Sequence, residues 1–242
     1  MIPKIIHYCW FGGSPLPPLA KKCIASWKKY CPDYEIKEWN ETNYDITRNN
    51  YMHEAYEAKK WGFVPDYARK DIIYEYGGIY LDTDVEIVKS FDDLLSNEAF
   101  FGMEKPGQVA LGLGFGAEKG NELIRDLRDI YIGKSFRNKD GTLNLTPCTE
   151  YETPMLIQYG LVKNNDHQVV RGVHIYPTDY FAPKDGYQAD TVITPNTHSI
   201  HHYNLSWATP YMKFRAKVYW RIKRVFGDDI ANKVRKVIGR KK

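Results

Sequence analysis

The 242-residue chain carries 34 Lys and Arg against 30 Asp and Glu, a formal net charge of +4, with 43% hydrophobic and 14% aromatic residues. These are globular proportions, sufficient for one sizeable core, and α/β folds of this length are commonly a single domain. Cys9, Cys23, Cys31 and Cys148 form no C-x-x-C pair or framework spacing, which excludes zinc ribbons and disulfide scaffolds. The absence of an apolar leader and of an 18-residue apolar run leads us to expect a cytosolic chain that does not span a membrane.

The charge is unevenly placed. Residues 210–242 hold twelve Lys and Arg against two Asp, a net of +10, so residues 1–209, with 22 basic and 28 acidic side chains, carry −6. The expected organisation is a domain over 1–209 and a basic appendage over 210–242.

In chain order, residues 2–11 read as a buried first strand, followed by a Gly12-Gly13-Ser14 and proline loop. Leu19 to Tyr30 has apolar residues at 19, 20, 23, 24 and 27 opposite four lysines, an amphipathic helix. Residues 34–39 alternate as a second strand, 40–50 read as loop and 51–61 as helix, giving a βαβ opening. Ligands of α/β sheets bind at the carboxyl ends of strands, which places Trp10 where its indole can stack on a base.

Residues 65–86 organise the rest. Ala68, Ile72, Ile73 and Tyr76 recur at helical spacing, Gly77-Gly78 stops that helix, and Ile79-Tyr80-Leu81 is a short strand ending in Asp82-Thr83-Asp84. Two carboxylates one residue apart at a strand end suit a divalent cation with hard oxygen ligands. Asp66 and Arg69, three apart, share the preceding helix face.

Further on, 91–95 reads as a helical turn, 98–104 as a strand, and 122–132 as a helix capped by Asn121. Gly112, Gly114 and Gly116 alternate with Leu111, Leu113 and Phe115. No phosphate-loop fingerprint is completed, so they read as one face of a strand closely approached by a ligand or another backbone. Residues 134–147 form a polar loop, 151–161 a helix with Pro154 in its first turn, and 173–204 short strands and turns. Strand alternation sends His201 and His202 to opposite faces, so one of them can face the carboxylates. In the tail, Phe214, Val218, Ile222 and Val225 form an apolar helical stripe that Gly227 interrupts, and Ile230, Val234, Val237 and Ile238 form another, both amid cations.

Asp66-x-x-Arg69 with Gly77-Gly78-Ile79-Tyr80-Leu81-Asp82-Thr83-Asp84, the opening Ile2-Pro3-Lys4-Ile5-Ile6-His7-Tyr8-Cys9-Trp10-Phe11-Gly12-Gly13 and the late His201-His202-Tyr203-Asn204-Leu205-Ser206-Trp207 together resemble glycosyltransferase family 32. They are also similar to the glucosyltransferase domains of the large clostridial toxins. The resemblance spans about residues 2–207. It implies a GT-A fold with a mixed central sheet, retention of anomeric configuration, and transfer of a hexose from a nucleotide-diphosphate sugar to a glycan or lipid-linked saccharide in surface polysaccharide synthesis.

It further implies catalytic roles for Asp66, Arg69, Asp82 and Asp84. Donor contacts follow from His7, Trp10, Asp66, Arg69, Tyr80, Asp82, Thr83, Ser206 and Trp207. A Mn2+ or Mg2+ ion is expected on Asp84, His201 and Asp82, with His202 the alternative to His201. Trp10 favours UDP over GDP, leaving a GDP-mannose-dependent mannosyltransferase as an alternative beside a metal-dependent nucleotide-sugar hydrolase or phosphodiesterase. The tail is expected on an anionic membrane at the inner face of the plasma membrane, with no nucleic-acid partner.

Overall fold

The computed structural model describes residues 1–184, 190–204 and 210–238. Its elements in chain order are β1 (Ile5–Cys9), α1 (Pro18–Tyr30), β2 (Glu35–Trp39), α2 (Asn50–Glu57), α3 (Pro65–Tyr76), β3 (Gly78–Tyr80), β4 (Val85–Ile87), β5 (Ala99–Lys105), β6 (Gln108–Val109) and β7 (Phe115–Ala117). They continue with α4 (Glu122–Asp129), α5 (Thr149–Gln158), β8 (Gln168–Val170), β9 (Val173–Tyr176), α6 (Thr178–Phe181), β10 (Ser199–His201) and α7 (Pro210–Ile238). The main sheet runs β2-β1-β3-β7-β5-β9-β8, with β6 paired to β5, and β4 with β10 makes a separate antiparallel pair. β1 is parallel to both β2 and β3, whereas β7 is antiparallel to its neighbours, so the sheet is mixed as expected.

Because side chains alternate along a strand, β1 feeds two cores. Ile6 and Tyr8 pack with Cys23 and Trp27 of α1, whereas Cys9 joins Tyr80 and the residues of α2 to α5 on the other face. A sheet covered on both faces follows, and β1 leaves β2 on one side and β3 on the other. That is a topological switch point, and the carboxyl ends of two parallel strands there open one crevice.

The turn from α3 into β3 depends on glycine. Gly77 caps the helix, its N–H bonding the Ile73 carbonyl at 2.8 Å. Gly78, at φ 102°, leaves no room for a Cβ, which would lie 2.8 Å from the Ile5 carbonyl oxygen and 2.9 Å from His7 Nε2. This pins β3 beside β1 and fixes where Asp82 emerges.

Several boundaries differ from the sequence reading. The first strand shortens to Ile5–Cys9, leaving Trp10 just beyond its end. The loop 40–50 holds a short helical turn at Ile46–Arg48, where the Asp45 carboxylate accepts the Thr47 N–H at 2.9 Å. α2 stops at Glu57 rather than 61 because Lys59 adopts φ 54°, and the Lys59 and Lys60 N–H groups close the helix end on Tyr56 and Ala55. Asn121 caps α4 as expected, accepting from Leu123 and Ile124 N–H at 3.1 and 3.2 Å. Pro154 lies in the interior of α5, not its first turn, because the helix begins at Thr149. The three alternating glycines do not share a strand: residues 111–113 form a tight helical turn, Gly114 has φ 125°, and only Gly116 lies within β7. In α7 the helical conformation breaks at Gly227 (φ 80°, ψ 176°), where the tail's two stripes were predicted to part.

Candidate active site

The crevice is a cavity of about 670 Å³. β1 delivers Trp10 to it, α3 presents Asp66 and Arg69 from its first turns, and the chain leaving β3 brings Asp82, Thr83 and Asp84. β10 adds His201 from far along the sequence, because it pairs with β4 and sets His201 opposite Val85. Ligand atoms of Asp82, Asp84 and His201 all lie within 4.8 Å of one another, and among the described residues this is the one such group of three His, Cys, Asp or Glu.

Arg69 is the hinge of the arrangement. It is 3% exposed, pairs with Asp66, itself 3% exposed, and reaches Asp82 Oδ1 at 3.6 Å through Nη1, while Nε donates to the Pro65 carbonyl at 3.1 Å. A surface i,i+3 pair contributes a few tenths of a kcal/mol, but here both charges are enclosed, so removing either partner costs about 3–5 kcal/mol. Burial pushes the Asp66 carboxyl up to about 6 against the pull of Arg69 and Lys70. Burial also raises Asp82, with Arg69 opposing.

Asp84 behaves in the opposite way. Burial alone would raise its carboxyl, but the His201 imidazole 3.1 Å away and the Asn204 N–H at 2.8 Å hold it down to about 2. His201 is reciprocally raised: Asp84 outweighs the burial that would lower it. Asn204 is a site residue that the sequence did not mark. Its backbone reaches Asp84 because Tyr203 takes a left-handed φ of 50° and turns the chain.

The remaining predicted residues separate clearly. Tyr80 and Thr83 line the cavity, and the half-buried Trp10 does so with its Nε1 donating to the Ser14 carbonyl at 2.6 Å. His202 turns away, its Nε2 2.8 Å from Glu86 Oε2, where Lys22 also pairs. His7 is not brought to the cavity: fully buried, it accepts from Trp39 Nε1 at 3.0 Å and meets the Gly77 carbonyl at 3.0 Å through Nε2. Its parity on β1 directs the ring under the α3–β3 turn, and burial lowers its pKa to about 4, so it serves as a neutral brace. Ser206 and Trp207 lie outside the described residues.

Gly112 also belongs here. A Cβ on it would lie 2.4 Å from Asp82 Oδ2 and 3.1 Å from Arg69 Nη1, so the 111–113 turn presses its backbone on the Arg69–Asp82 pair. The glycine run signalled a close approach, and the approaching groups are these two side chains. A Gly112→Ala protein is expected to keep its circular-dichroism spectrum while losing at least ~10-fold in divalent-cation affinity, the order seen when the support of a ligand is disturbed. Unchanged Mn2+ binding by calorimetry contradicts the tight packing.

Residues 17–101 match the family described as glycosyltransferase sugar-binding region containing DXD motif. The chain is similar to inositol phosphoceramide mannosyltransferase 3 of Schizosaccharomyces pombe, 30% identical over 135 residues that make 51% of this chain and 35% of the yeast protein. It is also similar to uncharacterized glycosyltransferase L373 of Acanthamoeba polyphaga mimivirus, 26% identical with 92% of this chain and 90% of that protein covered. The chain thus spans about a third of the yeast relative but most of the viral one. Among solved structures, PaToxG glycosyltransferase superposes with a TM-score of 0.53 at 20% identity, over 65% of this chain and 68% of that one, which establishes a shared fold. Residues 17–101, with Asp66, Arg69, Asp82 and Asp84 among them, are thus similar to a glycosyltransferase sugar-binding region containing a DXD motif, and the chain shares its fold with PaToxG glycosyltransferase.

Proposed function

We propose that the protein is a divalent-metal-dependent glycosyltransferase moving a hexose from a nucleotide-diphosphate sugar to a glycan or lipid-linked saccharide. The observation that carries this reading is the convergence of Asp82, Asp84 and His201 beside the buried Arg69 in an open cavity. The donor set fits a cation: two carboxylates and an imidazole suit Mn2+ or Mg2+, with Mn2+ the better match for nitrogen. The charges fit as well. Arg69 is shared between Asp66 and Asp82, and Lys70 is matched by Glu152, so no described buried Lys or Arg beside the site is left to balance Asp84.

When bound, the ion neutralises charge developing on the leaving diphosphate. Arg69, fixed by Asp66, presents a rigid guanidinium beside that position and orients the donor sugar, while Asp82 is placed for ribose or for water on the ion. Trp10 supplies the flat surface for the base and favours UDP. The resemblance to retaining enzymes carries the expectation of retention. Mannose from GDP-mannose is the second reading, favoured by the inositol phosphoceramide mannosyltransferases among the relatives.

Two tests address the centre. Incubated with Mn2+ and a panel of UDP- and GDP-hexoses, the protein is expected to hydrolyse one donor slowly to free sugar and nucleoside diphosphate. Asp84→Ala should lower that rate at least ~100-fold with the fold retained, since several kcal/mol of charge stabilisation go with the ligand. Wild-type turnover in that variant overturns the assignment. The second is pH-dependent binding. His201 must be neutral to bind metal and its pKa lies above the ordinary value of 6.5. Mn2+ affinity should therefore still be climbing as pH rises above 6.5. A flat profile by water-proton relaxation removes His201 from the ligand set.

For the tail we propose attachment to an anionic membrane at the inner face of the plasma membrane. No helix among the described residues is long and apolar enough to cross one. Phe214, Val225 and Phe226 on α7 are nonetheless 61–70% exposed amid cations, an arrangement suited to lying in a headgroup layer where each cation contributes about 1 kcal/mol. Full-length protein should float with phosphatidylserine liposomes at low salt and residues 1–209 should not; equal behaviour of the two refutes the proposal.

A further inference from the structure

The cavity has two chemically different walls. One is built from the loop after β1 and the segment between α2 and α3. There Trp61 lies flat enough against Gly12 that a Cβ would come within 2.8 Å of its ring, and Lys59 and Lys60 line the rim beside it. The other wall is the β5–β6 hairpin backed by α5, joined where Thr153 Oγ1 meets the Val109 carbonyl at 3.3 Å. On this second wall Glu104 and Gln108 are half-buried, line the cavity and are hydrogen-bonded or ion-paired to no described side chain. Glu150, at the start of α5, adds a further exposed carboxylate on the same side.

Resting on the glycosyltransferase reading, we infer that Glu104 and Gln108 bind the acceptor, and that the unit they bind is a neutral sugar ring presenting hydroxyl groups. A carboxylate and an amide facing a cavity are acceptors for hydroxyl hydrogens, and the amide donates in return. A half-buried carboxylate that no described Lys or Arg neutralises repels a phosphate, whereas the Lys59–Lys60 rim attracts one. The donor's nucleotide therefore lies towards Trp10 and the lysines with its diphosphate at the Asp82, Asp84 and His201 cluster, and the polyol enters along the hairpin. Glu104 and Gln108 line the same cavity as Asp82, Asp84 and His201, which places this wall beside the metal cluster. A carboxylate or phosphate on the acceptor ring would meet Glu104 and Glu150 and be rejected, a specificity built from repulsion as well as attraction.

The test uses the full chain with Mn2+ and whichever sugar nucleotide it hydrolyses. Methyl glycosides of mannose, galactose and glucose are compared as acceptors with glucuronate and mannose 6-phosphate. The wild-type protein should transfer to at least one neutral glycoside and at least ~10-fold less well to the anionic probes, about 1.4 kcal/mol of discrimination. Glu104→Gln, which keeps the shape and removes the charge, should narrow that gap, and Gln108→Ala should raise the acceptor KM at least tenfold with the donor KM moving less than twofold. Equal use of neutral and anionic acceptors, an unchanged acceptor KM in Gln108→Ala, or donor hydrolysis with transfer to no neutral glycoside overturns the inference. Absence of donor hydrolysis in the wild type removes instead the glycosyltransferase reading on which it rests.

Discussion

The structure around the cavity depends on one buried cation. Arg69 cannot shed its proton, and at 3% exposure it cannot be solvated, so carboxylates must meet it from two sides. Asp66 does so from its own helix and Asp82 from the turn beyond β3, which ties the start of α3 to the far end of the strand that follows it. One residue along, Lys70 is fully buried and pairs at 2.6 Å with Glu152, equally buried, fastening α5 to α3 in the same way. Ion pairs of this kind add little net stability over an apolar replacement, yet breaking one is expensive. Their effect here is geometric: they leave α3 a single position relative to the strands that carry the carboxylates.

Much of this could be read from the chain because the relevant signals are local. The change of period at Gly77-Gly78, the Asp82-x-Asp84 spacing and the i,i+3 relation of Asp66 and Arg69 are each written within a few residues, and the structure places these residues in one cavity. His201 against His202 was also a local question, since alternation allows only one of them to face inward. Pairing of β10 with β4 leaves His201 beside Asp84 and His202 beside Glu86.

What escaped was set by contacts between distant segments. His7 sits in a segment that resembles a donor-binding motif, but its direction depends on the register of β1 against β3 and on Trp39 from β2 donating to its ring. The Lys70–Glu152 pair joins residues 82 positions apart and carries no sequence signature. Burial decided the character of Asp66 and Arg69 too: the same spacing on an exposed helix face is a weak surface pair, whereas here both residues are buried and Gly112 packs over Arg69 and Asp82.

These constraints bear on how a cavity of this kind can favour transfer over hydrolysis. Asp82, Asp84 and His201 can serve either reaction, because neutralising a diphosphate leaving group does not specify what attacks the sugar. The choice lies with whatever occupies the other side of the anomeric carbon. Water needs no binding groups, whereas a saccharide loses translational freedom on entering and needs fixed acceptors for its hydroxyls to offset that loss. A wall whose polar side chains are already partnered would offer none. The hairpin carrying Glu104 and Gln108 keeps polar atoms facing the cavity, and α5, fastened to α3 by a buried ion pair, backs it through the Thr153 hydrogen bond to the Val109 carbonyl. Two neighbouring buried cations on α3 therefore hold the two sides of the cavity, Arg69 the turn that carries Asp82 and Lys70 the helix that backs the hairpin.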